Sequence, residues 1–408
     1  MKEIIHIRCS DNEQLLSQQK ELRKETELTL TPGIMRNNFF LIAIISIMII
    51  CTSCSTGKQP KIDVETEIIN FFDYKIIEFD DMPDSLIKGK QYIKLDASAE
   101  DFFFKIIDKV KICDDRIFIL DTWVKKLMVF DTNGKGIGKV GARGQGPGEY
   151  LNIADFDVDN FGNIYFIDGT GGGYDRLFVF DKNLKFVSMK KMPFEADIIS
   201  CLSNNKLLFG LASWNKEENV SMKIALTDME LKTEQSYLPY GEYFDDAYWI
   251  SGYTFVNSEN KILYNKQIDD FVYEFSDKGL PVKSWLFDFG NRKVPDKYKK
   301  DIKSNLDKFE QYCCLKNFVA ISEKYILGTL LDKTKTRNFI IDKNAKSLYL
   351  SREFPENDES YLTGYCDNRI ISYIYPNKYE DIQATDLPED VKKHIEDENF
   401  VLCISALK

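Results

Sequence analysis

Histidine is nearly missing from this chain: only His6 and His394 occur in 408 residues. A His-ligated zinc centre, a Ser-His-Asp triad or a Cys-His dyad would each have to be built on His394, because His6 precedes the apolar run described below. His394 itself sits in Pro388-Glu389-Asp390-Val391-Lys392-Lys393-His394, which reads as a surface helix. Excess positive charge is missing too. A net charge of −11 argues against nucleic acid and against adsorption to anionic membranes, since basic patches drive both. No regular cysteine spacing appears among Cys113, Cys201, Cys313, Cys314, Cys366 and Cys403. A domain of this size needs no disulfide staples, so they read as small apolar residues, with no pairing assigned. The adjacent Cys313-Cys314 has no further cysteine at CxxC spacing to support metal or redox chemistry.

Long apolar runs are also scarce. The main one, Asn37–Ile50, is 14 residues, short of the roughly 20 that span a bilayer but within reach of a signal-peptide core. Arg36 precedes it, and Thr52-Ser53 place small residues before Cys54. This layout resembles a bacterial secretory signal ending in a lipid-attachment cysteine. Cys51 stands where such motifs carry leucine, and Cys51 itself follows the bulky Ile50, so Cys54 is the expected acceptor. The expected organisation is residues 1–34 as a leader or over-called start, with Met35 opening the signal. Residues 35–53 form a lipoprotein signal peptide, alternatively a transmembrane segment; 54–70 form a polar tether and 71–408 one folded domain.

What is present is a sequence rich enough in apolar (44%) and aromatic (13%) residues for a large core. A pattern recurs along it. Asp115–Asp121 and Lys126–Asp131 are β-rich runs, each ending in aspartate, followed by Thr132-Asn133-Gly134. Gly162–Asp168 and Arg176–Asp181 repeat the arrangement. The runs predict hairpins, with Asp and Asn setting the turns through local side-chain-to-backbone bonds. Weaker copies pair Lys206–Gly210 with Lys223–Asp228, Lys261–Tyr264 with Phe271–Asp277, Tyr325–Gly328 with Asn338–Asn344, and Arg369–Tyr373 with Phe400–Ile404. Six copies at roughly 43 to 64 residues predict an all-β, six-bladed β-propeller. Tyr74–Glu78 is expected to close the ring by pairing with the last blade. Short inserted helices are expected over Pro295–Tyr312 and Pro388–Asp397.

The run Val140-Gly141-Ala142-Arg143-Gly144-Gln145-Gly146-Pro147-Gly148-Glu149-Tyr150, followed by Asp157–Asp168, resembles an NHL-type repeat. More narrowly, the chain is similar to the six-bladed, NHL-repeat or TolB-like propeller lipoproteins of Bacteroides-type bacteria. The terminal Asp397–Leu402 and Leu407-Lys408 resemble that group's closing segment, with Phe400 where proline is usual. The resemblance implies the propeller and an envelope location, and implies little about activity. The spacer Ser55–Lys61 lacks an acidic cluster resembling a surface-export tag, which favours a periplasm-facing membrane.

Three stretches are candidate sites. The loop Gly141–Glu149 lacks Gly-Lys-Ser/Thr, and Pro147 removes an amide donor, so a phosphate cradle is disfavoured. It reads as a blade-to-blade connection that leaves Arg143 and Glu149 near the mouth of the central channel. Asp155, Asp157 and Asp159 mimic a calcium loop, but Asn160 stands where glycine is needed and Phe166 where the bidentate glutamate belongs. Their period of two reads as the solvated face of an edge strand. The richest stretch holds Tyr240, Glu242, Tyr243, Asp245, Asp246 and Trp249. Aromatic rings beside carboxylates suit a sugar, whose C–H face stacks while its hydroxyls bond the acids. The expectation is therefore an envelope lipoprotein whose propeller binds a glycan, peptide or envelope-protein partner, without cofactor unless calcium. The alternative is a carboxylate- or calcium-dependent hydrolase or lyase.

Overall fold

The computed structural model describes residues 62–80, 82–96, 99–169, 175–212, 215, 222–240, 255–258, 260–266, 269–352, 362, 364–366, 368–376 and 387–408. Six sheets of four or five strands follow one another along the chain, each built on antiparallel neighbours, with a further two-stranded sheet of Ala142–Arg143 and Glu149–Tyr150 between the first two. Blade one comprises Lys109–Cys113, Arg116–Asp121, Lys126–Asp131 and Gly136–Lys139. Blade two comprises Asp155–Val158, Ile164–Asp168, Arg176–Phe180 and Phe186–Lys191. Blade three runs from Ala196–Cys201 through Leu207–Leu211 and Met222–Thr227 to Thr233–Pro239. Blade four begins at Phe255–Ser258 and ends at Pro281–Asp288, and blade five begins at Cys313–Ile321 and ends at Ser347–Ser351. Blade six takes Gly364–Cys366, Arg369–Ile374 and Val401–Leu407 from the end of the chain. In every blade the two runs paired from the sequence are the second and third strands.

Strand alternation explains why the central strands read as continuous apolar runs. Ile117 and Ile119 pack towards blade six with Ile371, Leu402 and Ile404, whereas Phe118 and Leu120 pack towards blade two with Phe156 and Phe166. Successive side chains leave opposite faces of a strand, and here both faces meet a neighbouring sheet. Aspartate sets the turns, as the sequence predicts. The Asp131 carboxylate accepts the Asn133 and Lys135 amides at 2.9 Å each. Asp181 and Asp228 do the same two and four residues ahead. Each turn places one residue in the left-handed region, Gly134, Leu184 or Leu231. At Gly134 a Cβ would collide with the Lys94 carbonyl, so glycine is required there by both conformation and space.

Ring closure differs from the expectation. Tyr74–Glu78 does not reach the last blade: the strand Lys75–Phe79 lies parallel to Ser347–Ser351, the rim of blade five. Closure falls to Ile87–Lys94, antiparallel to Val401–Leu407. An earlier strand, Glu65–Asn70, lies parallel to Pro281–Asp288 at the rim of blade four. Part of the expected tether is thus a strand of the sheet. The start of the described domain, Glu65–Lys94, forms a belt of three strands on the rims of blades four, five and six. Its period-two burial is weak, with Ile68 and Ile76 outward-facing, so local pattern underdetermines the partner.

The helix expected over Pro295–Tyr312 is broken into Asp296–Lys299 and Ile302–Phe309, with Asp301 capping the second through the Ser304 amide at 3.1 Å. Ile302 and Phe309 bury against Val294 and Cys314. Glu389–Glu396 forms the other helix, with Val391 and Ile395 inward. Among the described residues no helix is long and apolar enough to cross a membrane. The apolar run and Cys54 lie outside the described residues.

Candidate functional site

The innermost strands bring together charges far apart in sequence. On blade one, Lys109 donates to Asp155 (2.7 Å) and to the Phe156 carbonyl (2.7 Å), while Lys111 donates to Asp157. The second oxygens of the two aspartates accept the Ile199 amide (2.9 Å) and the Cys201 amide (2.7 Å) of blade three. Two rungs therefore link blades one, two and three beside the channel. Burial alone would pull the Lys111 ammonium down, but Asp157 more than offsets it and holds it above its ordinary value. Burial likewise opposes ionisation of Asp157, and Lys111 with Lys109 outweighs it, so that carboxyl stands below its usual range.

This corrects the reading of the aspartate triplet. Asp155 and Asp157 are 3% and 2% exposed, on an innermost strand instead of a solvated edge. Asp159 turns back on its own loop, accepting from Phe161 and Asn163 amides at 2.8 and 2.9 Å. Lysine ammonium groups already occupy the positions a cation would need, and the three carboxylates do not converge. Among the described residues no cluster of three or more His, Cys, Asp or Glu is arranged for a metal.

The glycine-rich loop is also placed differently. The Glu149 carboxylate accepts the Gly146 amide at 2.7 Å, and Arg143 is exposed. A Cβ on Gly148 would lie 2.9 Å from Phe186 in the outermost strand of blade two. The loop covers the outer part of that blade, not the channel mouth. The aspartates ending the second strands act similarly as clamps. Asp121 accepts the Lys105, Ile106, Trp123 and Val124 amides, and Asp168 accepts those of Leu151 and Asn152 and pairs with Arg176.

In an antiparallel meander the connection between strands two and three and the exit from strand four share one end. At that end, over blades three to five, lies a polar cluster. Tyr240, which follows the last strand of blade three, donates to the Leu211 carbonyl and accepts from Lys266 at 3.1 Å. The Lys266 and Lys223 ammonium groups lie 5.0 and 5.9 Å from its ring centroid, within the range of cation–π attraction. Lys223 pairs with Asp269, and Lys299 with Asp270 at 2.8 Å. All three lysines are under 10% exposed, where lysine is rare unless paired. Asn265 donates to the carbonyls of Asp269 (3.0 Å) and Phe271 (2.8 Å), yet its Oδ1 is buried without a donor. Asp270 Oδ1 is in the same state. Burial pushes the Asp270 carboxyl up, with Lys299 opposing it.

Of the aromatic-acidic stretch, Tyr240 belongs to this cluster; Glu242, Tyr243, Asp245, Asp246 and Trp249 lie outside the described residues. Lys223, Asn265, Lys266, Asp269 and Lys299 were not anticipated. Lys223 and Lys266 stand at the ends of β-rich runs, where lysine usually marks a solvated strand end, and Asn265, Asp269 and Lys299 carry no signal of their own. On blade two, burial pushes the Asp175 carboxyl up to about 7, with Glu195, Asp197 and Asp168 adding to it and the Ala196 amide opposing it. Among the described residues the cysteines form no disulfide. Burial pushes the Cys113 thiol up to about 11 and Cys314 to about 12, the opposite of an activated nucleophile.

Six blades closed by strands from both ends of the domain define a β-propeller. The chain belongs to the family described as a domain of unknown function, DUF4934, whose model matches residues 73–405. A putative exported protein of Bacteroides fragilis has a similar solved structure, with a TM-score of 0.64 at 18% identity, covering 82% of this chain and 100% of that one. A DUF4221 member from Bacteroides vulgatus reaches 0.47 at 13% identity, covering 79% and 97%. An inactive virginiamycin B lyase from Staphylococcus aureus, solved with quinupristin, reaches 0.40 at 10%, covering 80% and 98%. A search of curated proteins finds no match.

Proposed function

We propose that this protein is an envelope-anchored binding module that receives a glycan through the cluster at Tyr240. The observation carrying this reading is the pair of buried acceptors, Asn265 Oδ1 and Asp270 Oδ1, left without donors beside an aromatic ring and lysine donors. An unsatisfied buried acceptor costs about 1–3 kcal/mol, and sugar hydroxyls supply the missing donors while the tyrosine edge offers apolar contact. The aromatic and acidic residues Glu242, Tyr243, Asp245, Asp246 and Trp249 would extend the same site. Peptide ligands offer amide donors instead and are the competing occupants. Anchoring is assigned to a lipid on Cys54, consistent with the signal-like layout before it, on a periplasm-facing membrane.

Calorimetry against neutral and acidic oligosaccharides and against peptides tests the ligand class. Binding of a saccharide that Asn265→Leu weakens about tenfold or more supports the reading. Binding of peptides alone would sink it. Incorporation of labelled palmitate, lost in Cys54→Ala, tests the anchor. A hydrolase reading draws on Asp175, a carboxyl that holds a proton near neutral pH and could act as an acid. It predicts product release from a bound oligosaccharide that Asp175→Asn abolishes.

A further inference from the structure

The innermost strand of blade five is irregular where it approaches this cluster. Leu315 pairs with Leu330 and Val319 with Gly328, so four steps along one strand match two along the other. The two extra residues form a bulge on the strand nearest the channel, a device that re-aims side chains and recurs beside functional sites. Lys316 sits on this bulge. Its ammonium donates to Thr336 Oγ1 at 3.0 Å.

The contrast with four other lysines that lie wholly or partly buried carries the argument. Lys109, Lys111, Lys223 and Lys299 each have an aspartate partner. Lys316 has no carboxylate partner among the described residues, only a neutral hydroxyl. A half-buried ammonium without a counter-charge is unfavourable in the folded state. Burial accordingly draws its pKa below the ordinary lysine value, with Cys314 opposing it. Cys314, two residues earlier, packs against the helix residues Ile302 and Phe309 and feels the charges of Asp270 and Lys299 as well as Lys316. Lys316 thus stands two residues along the strand from Cys314, whose surroundings include the Asp270 and Lys299 pair of the cluster.

We propose that Lys316 receives an anionic group of the ligand, so that the bound glycan is an acidic one. This rests on the glycan reading of the Tyr240 cluster and names the substrate class for it. The buried acceptors take hydroxyl donors, and the bulge supplies the positive charge for a carboxylate or a sulfate ester.

The test uses three probes on the full chain: galactose oligomers, galacturonate oligomers and 6-sulfated galactose oligomers. Calorimetry is expected to show one acidic series bound about tenfold more tightly than the neutral one, the size of one charge-assisted hydrogen bond. Which acidic series it is distinguishes carboxylate from sulfate. Lys316→Met should erase that preference, and Lys316→Arg should retain most of it. An equal preference in Lys316→Met, or neutral binding with no acid preference, overturns the Lys316 assignment and leaves the glycan site standing. Failure of all three probes to bind overturns both.

Discussion

The two halves of the ring are held by opposite means. Blades one to three are joined from inside, by Lys109 and Lys111 reaching Asp155 and Asp157, and by those aspartates accepting amides of blade three. Blades four to six are bound from outside, by the strands Glu65–Asn70, Lys75–Phe79 and Ile87–Lys94 along their rims. The inner tie is electrostatic, buried and intolerant of half-measures, because removing one charge strands the other. The outer tie is a backbone ladder, indifferent to most side chains. The proposed ligand cluster sits over blades three to five, across the junction of the two regimes.

The largest expected effect separates these ties. Removing the strand Ile87–Lys94 opens the ring and uncovers Val401–Leu407, so cooperative urea unfolding should vanish. Asp157→Ala should leave a folded protein destabilised by about 3–5 kcal/mol, through the unpaired Lys111. The double change Lys111→Met with Asp157→Leu should recover most of that loss. If the double variant is as unstable as Asp157→Ala, the cost lies in the lost Cys201 contact and the contrast between the halves weakens.

A smaller effect depends on pH. The Asp175 carboxyl titrates near 7 in the fold, above its ordinary value of 3.8, so the native state favours the protonated form. Its contribution is therefore unperturbed below about pH 4 and becomes increasingly destabilising up to about pH 7. Asp175→Asn should match the parent near pH 4 and melt several degrees higher at pH 8, a gain of up to a few kcal/mol. Equal melting shifts at both pH values would contradict the buried-acid account. The smallest effect belongs to the turns. Asp131→Ala, Asp181→Ala and Asp228→Ala should each cost about 1 kcal/mol in chemical denaturation. The losses should add, because separate turns share no partners.

What was legible in the sequence was local. The hairpins and their aspartate turns could be read because the signal and the structure it specifies lie within a few residues. The belt could not, because parallel pairing of Lys75 with Ser347 leaves no mark near either residue. The charge rungs were misread for a related reason. Asp155 and Asp157 look solvated until Lys109 and Lys111 are noticed at the same period of two, 46 residues earlier and one blade back. Comparing adjacent repeats position by position, instead of reading each strand alone, would have exposed that complementarity. No such comparison reveals Asn265 or Lys316, whose significance lies in what they fail to bond.

The pairing of Ile87 with Leu407 also sets a timetable. Blades one to five can assemble as their own segments emerge, but blade six has no outer strand until early and late chain meet. That contact spans 320 residues, and distant pairings make folding slow. During synthesis or passage through a translocation pore, the early strand must wait with its ladder unpaired while everything between is delivered. A chain built this way needs protection of that strand from wrong partners until Val401–Leu407 has been delivered.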